Sequence, residues 1–178
     1  GSVLSIRKHY VVGSVLAALQ AKNCGYNNIT LIEFGVAKGG GLRALIDISK
    51  IIREEMNIEV NVVGFDNRNG LPDPIDYRDH PEIWDKSQFA MSSNFEKIDN
   101  YVKSNNGELI IGDISKTLKN FLLGKSILAF AAIDVDYYSS TKPITNWLMH
   151  LNSLNTLPAT VLYFDDVINN YTYSEYAG

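Results

Sequence analysis

Seven carboxylates fall where five apolar runs of this chain end. Glu33 closes "ITLIEF", Asp66 closes "VNVVGFD", Asp113 closes "ELIIGD", Asp134 closes "SILAFAAID" and Asp165 closes "ATVLYFDD". The last two runs each add a second acid, Asp136 and Asp166. One acid at a strand end means little, because aspartate also starts turns and caps helices. Five ends out of five predict a strongly negative rim, provided the runs are neighbouring parallel strands. In an open parallel sheet, ligands bind outside those carboxyl ends. Such a rim attracts cationic groups and repels phosphate.

Between the first two runs lies G-V-A-K-G-G-G, from Gly35 to Gly41. Consecutive glycines lose the most backbone entropy on folding, so something is expected to lie close to the backbone there. The dinucleotide fingerprint G-x-G-x-x-G, with an acid about 20 residues on, fits poorly. Asp66 follows Gly39 by 27 residues, and a pyrophosphate would meet the acidic rim. A nucleoside with a sulfonium and an ammonium but no phosphate suits that rim better. S-adenosylmethionine is such a molecule.

The elements that must position these residues follow from periodicity. Residues 5–22 carry Val11, Val12, Val15, Leu16 and Leu19 at helical spacing, which predicts a helix packed through that stripe. After the glycines, Leu42, Leu45, Ile46, Ile48, Ile52 and Met56 mark a second helix. The apolar runs predict five strands, the fourth uncharged from Ile127 to Ile133 as burial on both faces demands. "NFEKIDNYV", "SKTLKNFLL" and "TKPITNWLMHLNSL" predict further helices, with Pro143 in the first turn of the last. Strands alternating with helices predict an α/β, Rossmann-like doubly wound, mainly parallel sheet with helices on both faces. Residues 67–93 are rich in proline, aspartate and asparagine and too long for a plain connection. They are expected to form a lid or substrate-facing excursion within a single domain spanning 1–178.

Bulk properties narrow the function classes. The chain has 178 residues, 46% hydrophobic and 20% charged, with a formal net charge of −4, as expected for one globular core. Its basic residues are scattered, so a nucleic-acid partner is not expected. No apolar run approaches the ~20 residues that span a bilayer, so no membrane partner is expected either. The lone Cys24 cannot form an internal disulfide, which fits a reducing, cytoplasmic compartment.

"LIEFGVAKGG" resembles the first motif of class I methyltransferases, with Ala37 where many members have a glycine. "GFDNRNGLP", "IGDISKTL", "AIDVDYYSST" and "VLYFDD" follow in order. Together they resemble the macrocin O-methyltransferase family, which methylates sugar hydroxyls of natural products and uses magnesium. The resemblance covers roughly residues 29–167, and its most specific part is D-x-D-x-Y-x-S-T followed by F-D-D.

The resemblance implies an S-adenosylmethionine-dependent, Mg²⁺-assisted O-methyltransferase acting on a small hydroxylated acceptor, with self-association left open. It implies that Gly35, Ala37 and Gly39 let the backbone approach the methionyl part of the cofactor. Glu33 would orient the loop and meet the ammonium, Asp66 would accept from the ribose hydroxyls, and Asp113 would sit near the adenine. Asp134, Asp165 and Asp166 would hold the metal, since hard cations take oxygen ligands. Asp134 would thereby serve catalysis, activating a substrate hydroxyl through the ion. His80, in the excursion, is the candidate base, and Tyr77 and Trp84 near it are candidates to cover a substrate.

Two features depart from the family pattern. Arg68 and Asn69 stand where the family has an aromatic residue and an acid. The sequence also stops at "YTYSEYAG", before the helix and antiparallel strand pair of a full class I fold, so a C-terminal truncation is expected. Two rival readings remain. "IDVD" is a D-x-D, as in nucleotide-sugar glycosyltransferases that hold Mn²⁺ and a diphosphate, and a non-catalytic Rossmann-like binding module is the other.

Overall fold

A computed structural model describes residues 7–91 and 94–165. Strands β1 (Asn28–Phe34), β2 (Glu59–Asp66), β3 (Glu108–Ile111), β4 (Ile127–Ile133) and β5 (Thr156–Phe164) form one sheet. Their order is β3-β2-β1-β4-β5, and every neighbouring pair is parallel. Between them run α1 (Lys8–Asn23), α2 (Gly40–Met56), α3 (Phe95–Ser104), α4 (Ile114–Asn120) and α5 (Tyr138–Met149). The fold is α/β and Rossmann-like, as the alternation of strand and helix predicts. No described helix is long and apolar enough to cross a membrane.

The two faces of the sheet bury separate cores. On one, α1, α2 and α3 cover Ile29, Leu31, Val60 and Val62. On the other, α4 and α5 cover Ile32, Phe34, Val63 and Phe65. This is the period-2 alternation of a strand buried on both sides. A bulge interrupts it in β4. Pairing with β1 jumps from Thr30↔Leu128 to Leu31↔Phe130, so Ala129 is the extra residue. Beyond it, Phe130 and Ala132 pack on the α1 side, and the alternation carries Asp134 to that side too. Glu33 follows Leu31 onto the same face.

The expected packing of α1 is inverted. Val12, Leu16 and Leu19 are exposed, whereas Gly13, Ser14, Ala17, Ala18 and Ala21 are buried. The reason is steric. A Cβ on Gly13 would lie 2.5 Å from Cε2 of Phe130, so only small residues let this helix sit so close to the sheet. The helix therefore packs through Tyr10 and its small residues, with Val11 at the margin of the core, while Val12, Leu16 and Leu19 point outward.

The start of α5 is also a correction. The helix begins at Tyr138, which puts Pro143 in its interior rather than its first turn. A partner from far along the chain satisfies the earlier turn: the N–H of Ser139 donates to Oδ1 of Asp79 at 2.8 Å. Asp79 ends a short 3₁₀ turn, Tyr77–Asp79, inside the excursion. The excursion closes on itself where the N–H of Leu71 donates to the Gln88 carbonyl and the N–H of Ser87 to the Leu71 carbonyl. Asp79 then ties it to α5.

Candidate active site

The chain leaves β1 toward β2 and β3, then returns to β4 on the other side of β1. That reversal between β1 and β4 is the switch point at which doubly wound sheets open a crevice. A cleft of about 1160 Å³ lies there, and Asp66, Asp113, Asp134, Asp136 and Asp165 all line it. Backbone bonds beyond the strands set their order. Gly112 N–H donates to the Asp66 carbonyl, Gly35 N–H to Phe65, Asp134 N–H to Phe34, and Asp165 N–H to Ile133. The acids thus form a row across the sheet edge, with β4 and β5 adjacent. The cleft also takes in Gly35, Ala37 and Gly40 of the loop after β1.

Glu33 lies beneath that loop and does not line the cleft. It is 1% exposed, and Oε1 accepts a 2.8 Å hydrogen bond from the Tyr10 hydroxyl. Oε2 is buried with no partner among the described residues. Burial pushes its pKa up to about 8, and the same burial with the neighbouring carboxylate raises that of Tyr10. Its visible contacts are the Tyr10 hydroxyl on α1 and the close packing of Gly41 at the start of α2.

The glycines admit close approach mainly to the protein's own atoms. A Cβ on Gly35 would lie 1.7 Å from the Asp134 carbonyl oxygen, and one on Gly41 would lie 1.7 Å from Oε1 of Glu33. Gly39 has φ +80° and faces the Ile98 side chain at 2.9 Å, so it serves the turn into α2 and packing on α3. Gly39 is also absent from the cleft lining. Gly40, which sequence reasoning left out of the site, is the cleft glycine with open space where a Cβ would project. Ala37 adopts φ +46°, a left-handed region that favours glycine. Six aspartates against Arg7, Lys38 and Lys86 give the cleft a net acidic lining that suits a ligand bearing cationic groups.

Asp66 holds the loop in place. Its Oδ2 accepts from the N–H of Val36 at 2.8 Å and of Ala37 at 2.9 Å, and Oδ1 accepts from Arg68 N–H at 2.7 Å. A carboxylate oxygen can accept more than one hydrogen bond, so these contacts leave acceptor capacity. Asp113 caps α4, accepting from the Ser115 hydroxyl at 2.6 Å and its N–H at 2.8 Å. Those bonds hold its carboxyl below the ordinary value.

The expected metal ligands are only partly in view. Asp134 and Asp165 line the same cleft, while Asp166 lies outside the described residues. Among the described residues no group of three or more His, Cys, Asp or Glu side chains could hold a metal ion. Oδ2 of Asp134 faces Nη1 of Arg7 at 3.4 Å, and Oδ1 of Asp165 accepts from the Tyr163 hydroxyl. Burial and Asp165 push that phenol up to about 12. Two oxygen donors on one cleft suit Mg²⁺ chemically, because that ion often takes one or two carboxylates and completes its shell with water and substrate.

His80 is not among the residues that line the cleft. Its Nδ1 lies 3.0 Å from Oε1 of Glu82, and its backbone is left-handed at φ +50°. The excursion instead presents Ile75, Trp84 and Phe89 to the cleft. Tyr77 is 80% exposed, with the Arg78 guanidinium 6.0 Å from its ring centroid. Sequence reasoning missed Arg7, Gly40 and Asp79. Only Gly40 carried a signal, as the middle of a glycine triplet; Arg7 and Asp79 gain their roles from contacts 127 and 60 residues away.

No family model and no curated protein matches the sequence. Solved structures do match in fold. Calicheamicin methyltransferase CalS11 superposes with a TM-score of 0.66 at 20% identity, covering 89% of this chain and 64% of CalS11. The O-methyltransferase NovP gives 0.67 at 17%, covering 94% of this chain and 68% of NovP. An apo structure of CalS11, described as a TDP-rhamnose 3′-O-methyltransferase, gives 0.56 at 18%, covering 94% and 66%. The chain thus spans about two thirds of the length of each. It has the Rossmann-like fold of these O-methyltransferases.

Proposed function

We propose that this chain is the cofactor-binding part of an S-adenosylmethionine-dependent O-methyltransferase acting on a hydroxyl of a small molecule or sugar-bearing natural product. The observation that carries the reading is the row of acids lining one switch-point cleft beside an open glycine backbone. A neighbour in fold described as a sugar O-methyltransferase supports the acceptor class. When bound, S-adenosylmethionine supplies an electrophilic methyl group on a cationic sulfur. In this reading Ala37 and Gly40 give the methionyl part room, Gly35 lets the loop close against the Asp134 carbonyl, Asp66 takes the ribose hydroxyls while bracing the loop, and Asp113 borders the adenine. Ile75, Trp84 and Phe89 offer the acceptor an apolar wall that excludes water.

Mg²⁺ is a separable second part of the reading. Asp134, Asp165 and Asp166 would hold it, and it would supply a Lewis acid that lowers the pKa of the acceptor hydroxyl. Ligand-dependent melting tests both parts. S-adenosylhomocysteine should raise the melting temperature by mass action, and UDP-sugars should not. The reverse result would favour the D-x-D glycosyltransferase reading, and no response to either would leave a binding module. Mg²⁺ should stabilise wild type and not Asp134→Asn, with calcium and EDTA as controls. Equal responses of the two proteins would remove the metal site while leaving the nucleoside site standing.

A further inference from the structure

The acids of the cleft create a difficulty that one residue resolves. S-adenosylmethionine carries an ammonium and a sulfonium, which the acidic row suits, and also a carboxylate, which it repels. The cleft lining includes three cations, Arg7, Lys38 and Lys86, against six aspartates. Lys86 is paired with Asp73 at 2.7 Å in the excursion. Lys38 is exposed on the loop, where an ammonium is hydrated and screened. Arg7 is different. Its guanidinium stands 5.1 Å from the centroid of the Tyr10 ring, its Nη1 faces Asp134 at 3.4 Å, and its side chain is 28% exposed.

We propose that Arg7 receives the carboxylate of the ligand's amino-acid end, with Tyr10 and Asp134 holding the guanidinium in position. Three observations converge on that assignment. Arg7 precedes α1, and α1 packs against the face onto which the β4 bulge turns Asp134. The Asp134 carbonyl abuts Gly35, the first residue of the loop, and Arg7, Asp134 and Gly35 all line the same cleft. A guanidinium fork matches a carboxylate through two parallel N–H donors, and a fork already held loses little freedom on binding. Among the described residues the guanidinium's hydrogen-bonded partner is Asp134, held through Nη1, and the remaining donors of the fork are those assigned to the ligand carboxylate.

The assignment rests on the S-adenosylmethionine reading, and one pair of ligands separates the two. S-adenosylhomocysteine has the carboxylate; its decarboxylated analogue keeps the adenosine, sulfur and ammonium and lacks only that group. Wild type should bind S-adenosylhomocysteine about 10- to 100-fold more tightly by calorimetry, the scale of hydrogen bonds to a charged group. Arg7→Gln should erase the preference by weakening S-adenosylhomocysteine alone, and Arg7→Lys should keep part of it. Melting temperatures of both variants establish that they are folded. The proposal is overturned if wild type binds both ligands equally, if Arg7→Gln weakens both alike, or if the preference survives in Arg7→Gln and disappears in Lys38→Gln. Binding of neither ligand to wild type overturns the cofactor reading itself, and this assignment with it.

Discussion

Asp79 and Ser139, sixty residues apart, are joined by a 2.8 Å hydrogen bond from the Ser139 N–H to the Asp79 carboxylate. The other carboxylate oxygen accepts from Ile75 N–H at 2.8 Å, and the side chain is 1% exposed. One buried acid therefore caps the first turn of α5 and fixes the excursion that walls the cleft. Asp79→Ala should cost about 1–3 kcal/mol, because it strands two N–H donors. Hydrogen exchange locates the effect: the amides of Ile75 and Ser139 should exchange faster than in wild type. A loss of stability without that local change would place the role of Asp79 elsewhere.

Glu33 predicts a pH dependence. Its folded-state pKa is raised to about 8 from 4.5 by burial. Between those values the folded protein keeps a proton that the unfolded chain has released. The contribution is thus full below about pH 4.5 and is lost as pH rises through about 8. The loss is on the order of 5 kcal/mol. Glu33→Gln, neutral throughout, should gain on wild type by that order between about pH 5 and about pH 8.5 in urea denaturation. Parallel profiles for the two proteins would show that Glu33 is not the group responsible.

The glycines separate into fold and site. Gly35→Ala must hold φ +87° and place a Cβ 1.7 Å from the Asp134 carbonyl, so it should destabilise by about 3 kcal/mol or more. Gly40→Ala meets no atom within 4 Å and lies in the first turn of α2, so stability should change by less than about 1 kcal/mol. Its effect should fall on S-adenosylhomocysteine affinity, read by calorimetry. Normal binding by Gly40→Ala would remove the open glycine from the ligand site.

Asp66 should show both kinds of loss together. Asp66→Ala releases the N–H groups of Val36, Ala37 and Arg68, at about 1–3 kcal/mol of stability. It should also weaken S-adenosylhomocysteine by about 1.5–3 kcal/mol if the carboxylate accepts from the ribose. A stability loss with unchanged affinity would leave Asp66 as a loop brace only.

The sequence by itself determined the elements and the location of the acids. Short uncharged runs such as Ile127 to Ile133, bounded by turn residues, read as strands buried on both faces, and an acid after each run follows the ends wherever the strands go. Because parallel strands put their carboxyl ends on one edge, Asp66, Asp113, Asp134 and Asp165 were bound to share a rim once the sheet formed. The helical stripe of α2 is legible for the same reason, since Leu42, Leu45, Ile46 and Ile52 face one core.

Only the tertiary structure decided what those residues touch. Periodicity assigns the wrong face to α1, because it weighs Leu16 and Leu19 and cannot see that Phe130 leaves room only for Gly13. The bulge at Ala129 has no sequence mark, yet it turns Asp134 toward Arg7 rather than away from it. The first turn of α5 has no local cap, because its acceptor is Asp79 from the excursion. The glycines look like a ligand cradle in the sequence, and the structure gives Gly35, Gly39 and Gly41 to Asp134, Ile98 and Glu33. The physical reason is common to all of these. Periodicity and turn chemistry act over a few residues, whereas steric approach, long-range capping and ion pairing depend on which surfaces the packed sheet brings together.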